Sequence, residues 1–408
     1  MSNNKNMVFK RIKVCYYNNR EVTDMKKLLS KIDKPLLVVT FIFFIFGLIM
    51  ILSASSMESY MRYNYSPYHY FLRHAIFLVL GLILFCFIII FPTKNYKKLD
   101  IFIIGVIILA LIGLPFLGHN AKNAVSWYKI GPITIQPSEF AKVALIIYLS
   151  SYYEKNKDRL DNQWNIIKPI IVAFIIIGLV IIQPDMGTSV IIGLITLMMF
   201  YGVPISKKNR SIFNKIFLGG ILVVVLVFIT TGGKILQSYQ LDRLNFLDPC
   251  ERYQDKTGYQ LCNGFIAFKN GGLKGQGLGA STQKYLYLPE SYTDFIFPIV
   301  VEEWGLIVGI VILCTYAFVL FRIIQISRRA SNLRGSLICY GVFAYLLTHI
   351  IVNLFGVMGM IPLTGVPLPF LSYGGSYTIC LMIAMGLVQR VAIESKKNTN
   401  KTKVKCTL

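Results

Sequence analysis

The chain has 408 residues, of which 55% are hydrophobic and 15% are charged, and its mean hydropathy is +0.59. This composition excludes an ordinary soluble globular protein and predicts a protein embedded in a lipid bilayer. The formal net charge of +23 would also suit a protein that binds nucleic acid. The distribution of Lys and Arg along the chain, rather than their number, decides between these two classes.

Apolar runs of roughly 16 to 25 residues, the length that a helix needs to cross a hydrocarbon core, recur along the chain. They begin near residues 36, 75, 101, 139, 169, 187, 216, 295, 336 and 376. We therefore predict an all-α fold, a polytopic transmembrane helical bundle of about ten helices. The first run follows a basic segment but is long enough to span the bilayer, so we interpret it as an uncleaved first helix.

Thirty of the 42 Lys and Arg residues lie at the two ends of the chain or in alternate connecting segments. Those segments are 1–35, 93–100, 154–168, 204–215, 321–335 and 390–408. By the positive-inside rule both termini are cytoplasmic, and the charge does not require nucleic acid as a partner. The predicted organisation is a basic tail at 1–35, a transmembrane domain at 36–392 with a long extracellular loop at 233–294, and a basic tail at 393–408.

Ionisable residues at membrane depth are costly and are therefore candidates for function. Five stand out, namely Glu139, Lys142, Asp185, Glu302 and Glu303. Glu139 and Lys142 are three residues apart, so one helical face can hold both, as a structural ion pair or as part of a substrate site. Glu302 and Glu303 point about 100° apart, which disfavours an acid–base couple between them, and we expect one of them to face a polar cavity.

Asp294 lies where the long outer loop enters the eighth predicted span. A carboxylate there can meet a substrate at the membrane interface while apolar neighbours raise its pKa, which suits a general base. The pair Thr293-Asp294 before an apolar run also fits a helix N-cap. The residue types alone leave both interpretations open.

Two outer segments are unusually rich in glycine or proline. Segment 271–279 lacks the spacing of a nucleotide-binding loop, so we expect either a flexible turn or a backbone anion site with Lys274. Segment 362–376 is too dense in Pro and Gly for a continuous helix and is predicted to line a cavity.

The cysteines and histidines offer few ligands for a metal. Four scattered histidines have no metal-ligand spacing. Of the eight cysteines, Cys250 and Cys262 are the two that the predicted topology places outside the cell, where thiols can pair. A disulfide bond between them and two unpaired thiols both remain open.

Six blocks of the sequence, in chain order, resemble the SEDS family, which is named for shape, elongation, division and sporulation. The blocks are Asn123 to Gly131, Gln136 to Lys142, Gln183 to Thr188, Gly271 to Gly279, Leu288 to Phe297 with Glu302 and Glu303, and Gly365 to Ser376. Such an ordered set is highly specific. The resemblance implies a multi-pass protein of the bacterial cell membrane that joins lipid II units into peptidoglycan glycan strands. Tyr292, where the family usually has His, bears on the subgroup rather than on the activity.

The resemblance places Asp294 at the family's essential aspartate and favours the branch represented by FtsW, which builds the septal wall, over the elongation branch represented by RodA. As a hypothesis, Asp294 is the catalytic base of an inverting transfer that releases undecaprenyl pyrophosphate. The residues expected to bind substrate are Lys142, Glu139, Asp185, Arg243, Lys274, Glu290, Glu302, Glu303 and Ser372. Lys142, Arg243 or Lys274 would stabilise the leaving group, alone or with Mg²⁺ or Mn²⁺. No other cofactor is expected.

The resemblance also implies partners, namely a cognate class B penicillin-binding protein with one transmembrane helix and other membrane proteins of the division or elongation machinery. Two further classes of function remain open. In a flippase for lipid-linked oligosaccharides, the intramembrane charges would line a translocation path, but Asp294 would have no necessary role. A non-catalytic scaffold would need no intramembrane charge at all.

Overall fold

The computed structural model describes residues 30–121, 124–131, 133–215, 217, 230 and 246–406. Its helices are α1 (Lys34–Tyr63), α2 (His69–Ile90), α3 (Tyr96–Leu117), α4 (Pro137–Lys155), α5 (Gln163–Ile182), α6 (Met186–Gly202), α7 (Lys256–Gly271), α8 (Ile296–Arg328), α9 (Leu333–Val357) and α10 (Gly375–Cys406). Three short strands follow α3, namely β1 (His119–Ala121), β2 (Ala124–Ile130) and β3 (Ile133–Ile135).

Seven helices in the described part of the chain are long and apolar enough to cross a membrane, namely α1, α2, α3, α5, α8, α9 and α10 as far as Lys396. Helix α6 is apolar but shorter, and α4 carries the charged pair Glu139 and Lys142. The prediction of a polytopic helical membrane bundle is confirmed. The run predicted to begin near residue 216 lies almost wholly outside the described residues.

Polar content sorts the helices into an inner and an outer group. Almost every side chain of α4 is buried, including Ser150 and Ser151, and most of α9 and α10 is buried too. Helices α2 and α3 instead expose large apolar side chains, with Phe87 62% and Ile101 69% exposed. Helices whose polar side chains can form hydrogen bonds with neighbouring helices therefore lie inside the bundle. Helices with exposed apolar side chains lie outside, where they can contact lipid.

Polar contacts tie the helices together at the predicted cytoplasmic end. Asp33, just before α1, accepts hydrogen bonds at 3.0 and 2.9 Å from the guanidinium of Arg322 in α8. The backbone amide of Asp33 donates to the side chain of Gln389 in α10 at 2.9 Å. Glu394, one turn further along α10, accepts a hydrogen bond from the amide of Thr93 at 3.0 Å. These contacts fix the inner ends of α1, α8 and α10 relative to one another.

At the opposite end, β1, β2 and β3 form a small antiparallel sheet that the sequence analysis did not predict. The alternation of apolar and polar residues in β2 was the available signal. The hydroxyl of Tyr128 in β2 donates to the carbonyl of Ala110 at 2.7 Å. The amide of Gln136, just after β3, donates to the Ser376 hydroxyl at 2.9 Å. The sheet thereby joins the outer ends of α3, α4 and α10.

Helix α8 is interrupted at Gly305, whose φ of +83° breaks its internal hydrogen bonding. The glycine-rich segment 271–279 lies against the interruption and replaces the lost bonds. Two amides of this segment donate to the carbonyls of Glu302 and Glu303, both at 2.9 Å, and the amide of Leu306 donates back to the segment at 2.9 Å. Backbone groups that cannot reach water at membrane depth are thus paired within the protein.

The glycines in this junction are required by close packing. A Cβ atom at Gly271 would lie 2.1 Å from the carbonyl oxygen of Val301, and one at Gly275 would lie 2.4 Å from that of Glu303. Real Cβ atoms do not approach so closely, so any larger residue would separate the two segments. The expectation of a flexible turn at 271–279 is wrong, because this segment is a fixed part of the bundle.

A similar close approach in α1 gives a test of the packing. A Cβ atom at Gly47 would lie 2.1 Å from the carbonyl oxygen of Phe370. We expect Gly47→Ala to destabilise the protein by about 1–3 kcal/mol, because the backbone must move. Gly178→Ala in α5 is the matched control, since a Cβ there meets none of the described residues within 4 Å. Thermal unfolding in detergent measures both, and equal melting temperatures would contradict this packing.

Candidate functional site

Asp294 lies half-buried at the outer end of the bundle, two residues before α8 begins. The N-cap position is occupied by Phe295, whose side chain makes no capping hydrogen bond, so the prediction of Asp294 as the N-cap residue is wrong. The hydroxyl of Thr293 donates to Asp294 Oδ1 at 2.9 Å. Helix capping therefore does not account for this carboxylate.

Two other elements position Asp294. Asn353 in α9 donates from Nδ2 to the carbonyl of Asp294 at 2.7 Å and to the carbonyl of Val366 at 2.8 Å. Gly365 lies against the carboxylate, since a Cβ atom at this residue would be 3.8 Å from Asp294 Oδ2. Residues 358–374 are non-helical, as predicted, and they form one wall of the site.

A narrow crevice of about 10 Å³ lies beside Asp294. It is bounded by the start of α8, the end of α9 and the segment that includes Leu363, Thr364 and Gly365. This volume is roughly the space that one water molecule needs. A sugar must therefore approach Asp294 from its exposed side, or the crevice must widen.

A buried charged cluster lies on the inner helices. Lys142, only 1% exposed, donates to Glu139 Oε1 at 2.8 Å, which is the predicted contact across one turn of α4. Lys142 Nζ also lies 3.0 Å from His349 Nε2. Because His349 Nδ1 lies 2.7 Å from the Tyr345 carbonyl, we assign the proton to Nδ1, and Nε2 then accepts from Lys142. The second oxygen of Glu139 has no hydrogen-bond partner among the described residues.

Aromatic rings enclose this cluster. The rings of Tyr345 and Tyr377 lie 5.7 and 5.9 Å from Lys142 Nζ, within the range of a cation–π contact. His349 and Asn353 are four residues apart on α9, so the cluster lies about 6 Å deeper in the bundle than the contact with Asp294. His349 was not among the predicted site residues, although a histidine inside an apolar span is itself a signal of function.

One of the adjacent residues Glu302 and Glu303 was expected to face a polar cavity. Glu302 is instead buried among hydrogen-bond donors. Its carboxylate accepts hydrogen bonds from Asn270 Nδ2 at 3.0 Å and from the Thr282 hydroxyl at 2.9 Å. The hydroxyl of Ser281 and two backbone amides complete its partners. Glu302 therefore holds the outer loop against α8.

Glu303 also binds the outer loop. It accepts a hydrogen bond from Lys284 Nζ at 2.9 Å and one from the Ser53 hydroxyl of α1 at 2.6 Å. Lys284 is only 4% exposed and donates to the Gly279 carbonyl at 2.7 Å as well. Against the described residues Glu302 and Glu303 are at most 1% exposed, so the expectation that one of them faces a polar cavity is wrong. Lys284 was not among the predicted site residues, because a lysine in a polar loop is ordinarily exposed to solvent.

Two further residues expected to bind substrate have local structural contacts. Asp185 accepts from the amide of Thr188, which caps α6, and from Gln136 Nε2 at 3.0 Å. The hydroxyl of Ser372 accepts from the amide of Leu368 at 2.8 Å within the non-helical segment. These contacts hold the outer turns together, and a direct role in substrate binding stays a prediction.

The remaining predicted site residues lie on the outer loop. Glu290, with φ of +55°, has its Oε2 2.8 Å from the Thr293 hydroxyl, whose single proton can go either to Glu290 or to Asp294 Oδ1. Lys274 is exposed within the glycine-rich segment. Arg243 lies outside the described residues.

Cys250 and Cys262 form a disulfide bond, with their Cα atoms 4.9 Å apart. The bond joins the turn before α7 to the first half of that helix. Since α7 leads directly into segment 271–279, the bond tethers the outer loop close to its junction with α8.

Aromatic side chains flank Asp294 on the outer side. The ring of Tyr292 lies 4.7 Å from that of Tyr70 and 5.7 Å from that of Tyr373. The amide of Tyr373 donates to the carbonyl of Tyr292 at 2.9 Å, which joins the two segments. Burial raises the pKa of the Tyr292 hydroxyl far above its ordinary value, so this group stays a neutral phenol.

An apolar groove of about 460 Å³ lies on the other side of the first turns of α8. Helices α7 and α8 and the turn after α9 form it, and the exposed Lys269 also lines it. Its apolar lining includes Phe268, Leu273, Phe297, Val301, Leu306 and Met358. Since Phe297 lines the groove and Phe295 lines the crevice, the start of α8 separates a space suited to lipid from the candidate site.

These features define a multi-pass membrane protein with a carboxylate held at its outer boundary beside an apolar groove. The sequence profile of the cell cycle protein family FtsW/RodA/SpoVE matches residues 34–397. The chain therefore belongs to this family.

Named relatives and solved structures agree with this assignment. The chain is 37% identical over 384 residues to the probable peptidoglycan glycosyltransferase FtsW of Bacillus subtilis, covering 93% of this chain and 95% of that protein. It is 34% identical to the protein of the same name from Coxiella burnetii, covering 89% and 97%. A chain of a peptidoglycan synthase complex has the same fold, with a TM-score of 0.69 at 23% identity over 88% of this chain and 97% of that one. Thermus thermophilus RodA gives a TM-score of 0.62 at 22% identity, covering 88% and 96%.

The buried cluster generates a prediction about stability. Glu139→Ala should destabilise the protein by about 3–5 kcal/mol, because it leaves Lys142 charged and without its carboxylate partner. Replacing both residues, as Glu139→Ala with Lys142→Met, should cost less than the single change. Thermal unfolding of the three proteins in detergent measures the difference. A double variant that is less stable than Glu139→Ala would contradict a mainly structural ion pair.

Proposed function

We propose that this protein is a peptidoglycan glycosyltransferase that polymerises lipid II into glycan strands for the septal wall during cell division. The observation that carries the proposal is Asp294, held by Asn353 at the start of α8, which separates its crevice from an apolar groove. Membership of the family, and the activity named for the relatives from B. subtilis and C. burnetii, support the same reaction.

In the proposed reaction, Asp294 accepts the proton of the acceptor sugar's 4-hydroxyl as that oxygen attacks the anomeric carbon of the donor. The new C–O bond forms opposite the leaving group, so the configuration inverts, and the electron pair of the broken bond leaves with undecaprenyl pyrophosphate. Thr293 is hydrogen-bonded to Oδ1, whereas Oδ2 faces Gly365. We assign the proton to this carboxylate.

The pyrophosphate must be stabilised as the bond breaks. Lys274 is exposed on the outer loop and is the described cation that we propose for this role. Lys142 is enclosed and paired with Glu139, so it would act only after the inner helices move apart. Arg243 lies outside the described residues, and its role in stabilising the pyrophosphate is proposed from the sequence alone.

A divalent cation such as Mg²⁺ or Mn²⁺ would supply the same positive charge. In the described part of the chain, no three His, Cys, Asp or Glu side chains converge on one point. Such an ion would therefore be held largely by pyrophosphate oxygens, which is common for Mg²⁺. Polymerisation assayed with and without EDTA tests this role, since loss of activity that Mg²⁺ restores would support it and an unchanged rate would contradict it.

The apolar groove suits the polyprenyl chain of the substrate. It holds about 460 Å³ and is bounded mainly by apolar side chains, and Lys269 is the charged residue of its lining, which suits a phosphate group. The groove and the crevice share the first turn of α8 as a wall. A lipid in the groove would therefore lie across the start of α8 from Asp294.

We propose a class B penicillin-binding protein with one transmembrane helix as the partner. The similar chain from a peptidoglycan synthase complex belongs to an assembly that coordinates polymerization and crosslinking, which supports this pairing. A transpeptidase supplies the crosslinking that newly formed strands need. Other membrane proteins of the division machinery are expected to join the pair.

Two alternatives, an elongation polymerase and a flippase, have less support. Relatives named FtsW favour a role in division over one in elongation. A flippase would use charges along a translocation path, but the carboxylates of Asp185 and Glu302 already have several partners within the protein. A flippase would also leave Asp294 without a necessary role.

Asp294→Asn tests the proposed base, because Asn keeps the size of the side chain but cannot accept the proton. We expect the rate of strand formation from lipid II by the purified protein with its partner to fall by about 10²- to 10⁴-fold, with unchanged thermal stability. Asp255→Asn is the matched control, an exposed acidic residue of the same outer loop, and should keep full activity.

The same assay separates the classes of function. Strand formation by Asp294→Asn at the wild-type rate would contradict the catalytic role. Transport of lipid II without strands would support a flippase instead. If the wild-type pair neither polymerises nor transports, the scaffold interpretation holds.

A further inference from the structure

The outer turn between α1 and α2 is unusually rich in aromatic residues. Within residues 60–70 there are five tyrosines and one histidine. Four of the tyrosines have 43–60% of their surface exposed, namely Tyr60, Tyr63, Tyr65 and Tyr68. The proposed reaction uses none of these side chains.

The rings of this turn form a continuous path. Tyr63 stacks on Tyr65, with ring centres 6.1 Å apart and planes within 17°, and Tyr65 stacks on His69 at 4.4 Å and 20°. His69 then meets Tyr70 edge to face at 5.3 Å, and Tyr70 packs against Tyr292 at 4.7 Å. The path therefore leads from exposed rings to a residue two positions before the proposed base.

The backbone holds this turn in place. Asn64 ends α1 with φ of +53°, and its amide donates to the carbonyl of Tyr60 at 3.2 Å. The amide of Tyr65 donates to the carbonyl of Ser59 at 3.0 Å, and the Ser59 hydroxyl donates to the carbonyl of Ser66 at 2.8 Å. A surface fixed in this way loses little conformational entropy when a ligand binds.

The exposed tyrosine rings of this turn suit a carbohydrate ligand. The C–H groups on one face of a sugar ring carry small positive charges and pack against the negative face of an aromatic ring, while tyrosine hydroxyls can bond the sugar's edge. Arg62 lies beside the path, with 57% of its side chain exposed and its guanidinium 5.7 Å from the ring of Tyr63. Its charge is paired with Glu58, to which it donates a hydrogen bond at 3.0 Å.

A belt of tyrosines at the membrane interface is the other chemistry that exposed tyrosines serve. Such a belt needs neither mutual stacking nor contact with the reaction centre. Here the exposed rings stack on one turn and reach Tyr292 through His69 and Tyr70. Continuity with the candidate site therefore favours a ligand that starts at that site.

We propose that Tyr63, Tyr65, His69 and Tyr70 form a binding track for the glycan strand, which guides sugar units along the outer surface beside Asp294. This inference rests on the proposed function, since it assumes that the site handles β-linked amino sugars. It adds a site for the polymer itself, distinct from the site of bond formation.

Binding of a soluble oligosaccharide tests the track without any polymerisation. The probe is a β-1,4-linked tetramer of N-acetylglucosamine, and its affinity for the purified full-length protein is measured by titration calorimetry or saturation-transfer NMR. We expect Tyr65→Ala to weaken binding by about fivefold and Tyr65→Phe, which keeps the ring, to change it by less than about twofold. Tyr253→Ala is the matched control, an exposed tyrosine of the outer loop whose ring packs on Tyr259 rather than on the track, and should bind normally.

Product length gives a second readout. With lipid II and the partner, Tyr65→Ala should make shorter strands than Tyr65→Phe or Tyr253→Ala, because the polymer leaves the surface sooner. Wild-type protein that does not bind the tetramer, or a Tyr65→Ala variant with unchanged binding and strand length, would overturn the track. Changed insertion into vesicles with unchanged tetramer binding would assign the tyrosines to the membrane interface and overturn it too.

The two proposals can fail separately. If Tyr65→Ala weakens tetramer binding but the wild-type protein makes no glycan strands with its partner, the track is upheld and the polymerase proposal is contradicted. If Asp294→Asn abolishes strand formation while Tyr65→Ala changes neither tetramer binding nor strand length, the polymerase proposal is upheld and the track is contradicted.

Discussion

The hydrogen bonds exchanged between the broken helix α8 and the glycine-rich segment 271–279 are the constraint on which the outer half of this protein depends. A helix broken at membrane depth leaves carbonyl and amide groups that water cannot reach, and such groups are costly unless the protein pairs them. The segment provides these pairs at Glu302, Glu303 and Leu306. Because the pairing requires backbone-to-backbone contact, glycine is needed on both sides of the junction.

The chemistry of the site follows from this junction. The side chains of Glu302 and Glu303 bind the next part of the same loop, through Thr282 and Lys284, so the loop is held by both backbone and buried carboxylates. That loop ends at Asp294, whose carbonyl is held by Asn353 from the opposite side. The proposed base is thus fixed relative to the apolar groove, although it lies on an irregular segment. Fixed geometry of this kind is what proton transfer requires.

The sequence predicted the helical bundle well because apolar length and the alternation of positive charge report directly on a membrane. It also predicted Asp294 as a candidate and the pairing of Glu139 with Lys142 from local spacing. It failed where partners are distant in sequence. The burial of Lys284 depends on a glutamate 19 residues away, and the contact of Lys142 with His349 joins residues 207 apart. Spacing rules for helices and turns do not reach such pairs. The sequence also did not predict that Gly305 breaks α8, because that role depends on the packing of the distant segment 271–279 against it.

The most direct test of this account compares two glycines of the junction. Gly275 and Gly277 both have positive φ, +80° and +107°, but only at Gly275 would a Cβ atom clash with described residues, 2.4 Å from the carbonyl of Glu303. Hydrogen–deuterium exchange of the amides in 276–284 and 302–308, measured beside strand formation, should show lost protection and lower activity in Gly275→Ala and smaller effects in Gly277→Ala. Protection and activity in Gly275→Ala equal to those of the wild type would contradict the claim that this junction holds the site together.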